Sequence, residues 1–254
     1  MSYFFSLVQN EWMKTNSKRQ APYYYIFLAL MAVLLGVVTR FFVFKDGAMS
    51  MSYLAFADTF VSIARSLTTF FIIIVAAQTI TDEFKDGTIK QLLIRPASRA
   101  LVLASKWVNA LLVLFAAYMI ILLLGLGVGA ALFNLSAEEA SLMDSVVGLF
   151  LGYSDAAFQL TLAFMIAVLT RSLGLSIVLP IIFQVLAGTV TMMLYQKVWY
   201  KWLVFPHLNW GPYFGEGQLP YEGATLGFSL MMYAIYFAVL LAISFFVFQK
   251  RDVQ

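Results

Sequence analysis

Arg65, Asp155, Gln159 and Gln184 are polar residues inside long apolar runs of this 254-residue chain. An ionisable group at the centre of a membrane helix costs about 2.5–3.5 kcal/mol on insertion scales, so it needs a partner or serves a purpose. Arg65 lies 16 residues before Thr81, and Asp155 lies 16 residues before Arg171. If both runs travel in the same direction, both groups sit about 24 Å from the same boundary at 1.5 Å per residue. They then either pair between two helices or reach the nearer headgroups separately. Gln159 follows Asp155 by one turn, and Gln184 follows Pro180 by one turn. Amides so placed line a polar path or hold helices together.

The second candidate stretch is residues 81–99. Its polar half, Asp82, Glu83, Phe84, Lys85 and Asp86, leads to Gly87, which can end or bend a helix. Thr88 with Gln91 three residues on makes a capping pattern, and Pro96 closes the short helix that would follow over about Ile89 to Ile94. Ser98 is placed to cap the next helix. Ile89, Leu92 and Leu93 would then face water unless a partner covers them or they rest on the membrane surface.

Other chemistries are excluded by composition. The chain has no Cys and one His, so disulfides, thiol catalysis and multi-His metal sites are ruled out, and no catalytic pair emerges. It contains no Gly-Lys pair, hence no Walker-type phosphate loop. A net charge of +3 and a pI near 9.0 do not point to nucleic acid.

These residues must be positioned by membrane helices. Hydrophobic residues make up 62% of the chain, charged ones 11%, and mean hydropathy is +0.87. A soluble domain is nearer half apolar and a quarter charged. A span needs about 20 apolar residues, so the length holds roughly six. The expected spans run over 23–44, 60–80, 107–133, 146–170, 173–195 and 225–248, as helices, because lipid leaves an open backbone unsatisfied. Lys14, Lys18 and Arg19, the 81–106 connection, Arg171, and Lys250 with Arg251 gather the basic residues on one side. By the positive-inside rule both termini are cytoplasmic.

Two further segments flank the spans. In residues 2–19, Phe4, Val8 and Trp12 recur at helical spacing, which predicts an amphipathic interface helix or an extension of the first span, with Pro22 as the break. Residues 196–224 hold eight aromatics, among them Trp199, Trp202 and Trp210, interrupted by Pro206, Pro212 and Pro220. They are too apolar for a free loop and too broken for a span. Short external re-entrant helices are expected, as a lid or a simple aromatic anchor.

The run Glu83-Phe84, Gly87-Thr88, Leu92-Leu93, Arg95-Pro96, Ser98-Arg99 and Lys106 resembles the hallmark loop of ABC-type export permeases of the second class. Asn10 to Lys14 is similar to that family's interface helix. The resemblance covers the whole chain in layout, and about 25 residues in specific motif. It implies an all-α, six-span permease domain over residues 1–254, without an ATPase site of its own. Glu83, Phe84, Gly87, Thr88, Ile89, Leu92, Leu93, Arg95 and Pro96 would form the ATPase-coupling loop. The implied partners are two cytoplasmic ABC ATPase subunits, which carry the ATP and Mg, a second permease subunit, identical or homologous, and membrane lipid. The implied activity is export of an amphipathic peptide, antibiotic or lipid-like solute through the cell membrane, that of a bacterium. A self-contained channel or gradient-driven carrier is the alternative.

Overall fold

Apolar stripes at helical spacing build the centre of the bundle. In the computed structural model, which describes residues 2–43, 51–85, 98–135, 141–215 and 217–250, helices account for most of the chain. They are α1 (Ser2–Ser17), α2 (Gln20–Val38, continued by a π turn at Thr39–Val43), α3 (Tyr53–Lys85), α4 (Arg99–Leu132), α5 (Leu142–Leu151), α6 (Tyr153–Thr170), α7 (Leu173–Leu194) and α8 (Leu226–Lys250). Six of the helical stretches, with α5 and α6 counted together, are long and apolar enough to cross a membrane.

Along α3, Phe60, Ala64, Thr68, Ile72, Ala76 and Ile80 recur every four residues and are all buried. They meet Leu103, Ala110, Leu114, Tyr118 and Ile121 of α4, and Ala156, Leu160, Ala163, Phe164 and Ala167 of α6. This spacing puts each set on one helix face. Helices α2, α7 and α8 pack around these three and leave large apolar side chains outward, such as Leu30, Leu34, Val185 and Met192. That outer surface suits lipid, which sets no penalty on exposed hydrocarbon.

The helix ends differ informatively from expectation. The break after α1 falls at Arg19, which adopts a left-handed φ of 59°, and not at Pro22. Pro22 lies in the first turn of α2, where no intrahelical donor is required, so the ring fits the helix. Ser98 does cap α4, accepting from the Leu101 N–H at 3.3 Å. The expected fourth span divides at Gly152 into α5 and α6. Trp107 of α4 donates from its indole to Thr161 Oγ1 of α6 at 3.1 Å.

Two glycines make a sharp test of this packing. A Cβ on Gly129 would lie 2.7 Å from the Tyr53 carbonyl oxygen, where α4 crosses the start of α3. Gly127, one face away, has open space. Gly129→Ala should cost about 1–3 kcal/mol, since backbone cannot move aside like a side chain. Gly127→Ala should be neutral or stabilising by up to about 1 kcal/mol, from helix propensity. Unfolding of the purified variants in mixed micelles would decide; equal effects would mean that the two helices do not cross this closely.

Candidate functional site

One end of the bundle is tied by charge. Glu83, in the last turn of α3, is 1% exposed, and Lys106 of α4 is fully buried. The Lys106 ammonium lies 2.5 Å from Glu83 Oε1 and 2.9 Å from Glu11 Oε1 of α1. Lys14, one turn along α1 from Glu11, reaches the same Glu83 oxygen at 2.5 Å. Two carboxylates thus meet two ammonium groups, and the cluster is neutral. Beside it Lys18 meets Asp82 at 2.5 Å, and Asn109 donates to Thr15 Oγ1 at 2.9 Å.

The effect is to dock α1 on α3 and α4. For Lys14, partial burial pulls the pKa down, but the hydrogen bond to Glu83 and the charges of Glu83, Glu11 and Asp82 outweigh it and raise the pKa above its usual value. A raised amine pKa contributes stability that is fully present below pH 10.5 and lost only as pH rises through the native value.

Phe84, the next residue, holds a second tie. The Arg171 guanidinium, at the left-handed turn between α6 and α7, stands 4.4 Å from its ring centroid. Arg99 at the start of α4 donates to the Gln249 carbonyl near the end of α8 at 3.2 Å. The roots of the 86–97 connection are therefore fastened to α1, α4, α8 and the α6–α7 turn. Gly87, Thr88, Ile89, Leu92, Leu93, Arg95 and Pro96 lie outside the described residues.

The intramembrane set gathers nearer the other end. Arg65, Asp155 and Gln184 border one cavity of about 150 Å³, together with Ser66, Thr69 and Asn209. Arg65 and Asp155 do not form an ion pair; Arg65 Nη1 donates instead to the Gly148 carbonyl at 3.2 Å. A Cβ on Gly152 would fall inside the Arg65 side chain, so the α5–α6 break makes the room that the guanidinium occupies. Gln159 is 1% exposed, one turn inward, against the Asp155 carboxylate. Its carbonyl oxygen and that of Gln184 have no protein donor. Arg65 also borders a second cavity, of about 250 Å³, with Asp58, Ser62 and Asp144.

Above these cavities, three short 3-10 turns at Val198–Trp202, Phe205–His207 and Gly211–Phe214 cover the helix ends. Ser154 Oγ donates to the Leu208 carbonyl at 2.8 Å, and Tyr236 Oη donates to the Trp202 carbonyl at 2.7 Å. His207 is fully buried among them.

Sequence reasoning selected Glu83 and Phe84 but missed Glu11, Lys14 and Lys106 as their partners. A signal was present for Lys106: it falls on the α4 stripe between Leu103 and Ala110, where every neighbour in register is a core residue.

The fold and its apolar surface define a multi-pass helical membrane protein. More narrowly, the chain belongs to the DUF2705 family, described as a protein of unknown function, whose model matches residues 25–254. Among its relatives is the uncharacterized protein YhcI of Bacillus subtilis (strain 168). It is 34% identical over 209 residues, covering 74% of this chain and 65% of YhcI, so the chain spans just under two thirds of that relative. The uncharacterized membrane protein YdbK of the same organism is 29% identical over 214 residues, covering 80% of this chain and 83% of YdbK.

Proposed function

We propose that the chain is the membrane-spanning subunit of an ATP-driven ABC exporter, taking an amphipathic peptide, antibiotic or lipid-like solute from the cytoplasm or inner leaflet. The observation that carries this proposal is the buried Glu83, which links α1, α3 and α4 at the root of the 86–97 connection. A motor pressing on that connection would move three helices at once through Glu83, and the α6–α7 turn through Phe84 and Arg171. The motor is a pair of separate ATPase subunits that hold ATP and Mg, and a second permease subunit completes the pathway. Both termini and the charged end then face the cytoplasm of a bacterial cell, α1 lies at the inner interface, and the 3-10 turns re-enter the outer leaflet.

A tagged chain purified from its own host should retain an ATP-hydrolysing partner. Gly87→Val should leave the permease folded and membrane-inserted while abolishing stimulation of that partner's hydrolysis by cargo. Cargo transport by the chain alone in vesicles, with no ATPase, would overturn the proposal. It would favour a gradient-driven carrier, the alternative reading.

A further inference from the structure

The cavity beneath Arg65 presents opposite charges that do not touch one another. Its cation is the Arg65 guanidinium, which has five N–H donors and uses one on the Gly148 carbonyl. Its anion is Asp155, joined by the partnerless carbonyl oxygen of Gln184. The hydroxyls of Ser66 and Thr69 donate to the Ser62 and Arg65 carbonyls, so they turn lone pairs to the cavity. The walls therefore offer donors at one place and several acceptors at another.

We propose that this cavity binds a compact zwitterion, an ammonium tethered by two carbons to an acidic oxyanion, of which ethanolamine phosphate is the model. The oxyanion meets the guanidinium fork, for which two-point contact with carboxylate or phosphate is the favoured geometry. The ammonium donates its three protons to Asp155, Gln184 Oε1 and a wall hydroxyl. A lone anion is disfavoured, because Asp58 and Asp144 border the other side of Arg65 and already offset its charge. A volume of about 150 Å³ admits this headgroup, and three N-methyls in place of its N–H donors would leave Asp155 and Gln184 Oε1 without the hydrogen bonds that the ammonium supplies.

The depth of the site follows from α6. Asp155 is 15 residues from the end of α6 at Thr170, about 22 Å at 1.5 Å per residue, in a hydrocarbon core about 30 Å thick. The site thus lies in the half of the membrane below the aromatic turns. The same chemistry can arrive on a phospholipid or as a free solute. The inference stands apart from the exporter proposal, because binding requires no ATPase.

The test uses the purified chain in nanodiscs of phosphatidylglycerol alone, with calorimetric titration. O-phosphoethanolamine should bind at least tenfold more tightly than inorganic phosphate or phosphocholine. Gln184→Leu, on a half-exposed helix face that tolerates an apolar residue, should weaken it tenfold or more. Native mass spectrometry from discs of mixed phosphatidylethanolamine and phosphatidylglycerol separates the sources. Enrichment of the ethanolamine lipid identifies a headgroup site, and soluble binding without enrichment identifies a free solute; both support the proposal. Equal binding of phosphate and phosphoethanolamine, unchanged binding by Gln184→Leu, or neither binding nor enrichment would overturn it.

Discussion

Lys106→Met should destabilise the protein by about 3–5 kcal/mol, the range for breaking a buried ion pair by removing one partner. The cause is what remains. Glu83, 1% exposed, would keep only the half-exposed Lys14, and Glu11 would lose the partner it has at 2.9 Å. Glu83→Gln should cost less, since Lys106 retains Glu11 and an amide oxygen still accepts from it. Lys14→Met should cost about 0–1 kcal/mol, as its side chain is 42% exposed and water screens the pair. The order Lys106, Glu83, Lys14 follows burial and not sequence position. Thermal unfolding of the four proteins in one detergent checks it. At roughly 2–4 °C per kcal/mol for a domain of this size, the first substitution should lower the midpoint by roughly 6–20 °C. Equal shifts for Lys106→Met and Lys14→Met would show that α1 is not held by a buried charge. A second consequence concerns movement: in Lys106→Met, amide exchange in α1 should rise before exchange in α3, because α1 loses its tie while α3 keeps its apolar stripe.

The spans were legible because lipid demands about 20 apolar residues in a row and nothing else in the chain supplies them. Their ends were less so. Helix α3 begins at Tyr53 and ends at Lys85, beyond the apolar run at both sides, because protein neighbours and the Glu83 cluster satisfy the polar turns. The room at Gly152 is taken by Arg65, which also donates to the Gly148 carbonyl, a long-range contact that spacing within one helix does not encode. Arg65 and Asp155 could be placed at similar depth by counting, but their chamber depends on α7 and Asn209 as well. The charged lock was hidden for a similar reason. Lys14 and Lys106 served to orient the chain as loop charges, and only the fold brings residues 11, 14, 83 and 106 together.

His207→Ala should loosen the cap formed by the 3-10 turns, and acid should do the same to the unaltered protein. The ring is fully buried, with Nε2 2.9 Å from the Lys201 carbonyl and Nδ1 3.1 Å from Ser229 Oγ. A carbonyl can only accept, so the neutral ring carries its proton on Nε2 and takes the Ser229 hydroxyl proton at Nδ1. It thereby joins the first turn, its own turn and α8. Alanine would leave the Lys201 carbonyl buried without a donor, about 1–3 kcal/mol, and open a cavity besides. Burial lowers the ring's pKa below its ordinary 6.5, and the bond to Lys201 only partly opposes this. With the native pKa below the unfolded one, the unfolded segment binds more protons between the two values. The stabilisation is therefore complete above pH 6.5, is lost as pH falls from 6.5 toward the native pKa, and declines no further below it. The charged groups near the ring do not reverse this: the Lys201 ammonium is itself a cation, placed over the Trp202 ring at 5.7 Å, and the rings packed against His207 are those of Tyr221 and Phe228. Hydrogen exchange over residues 198–214, corrected for intrinsic rates, should show protection falling between pH 7.5 and 5.5. In His207→Ala protection should be low at both values and independent of pH. A pH dependence that survives the substitution would assign the effect to another group and leave His207 as packing alone.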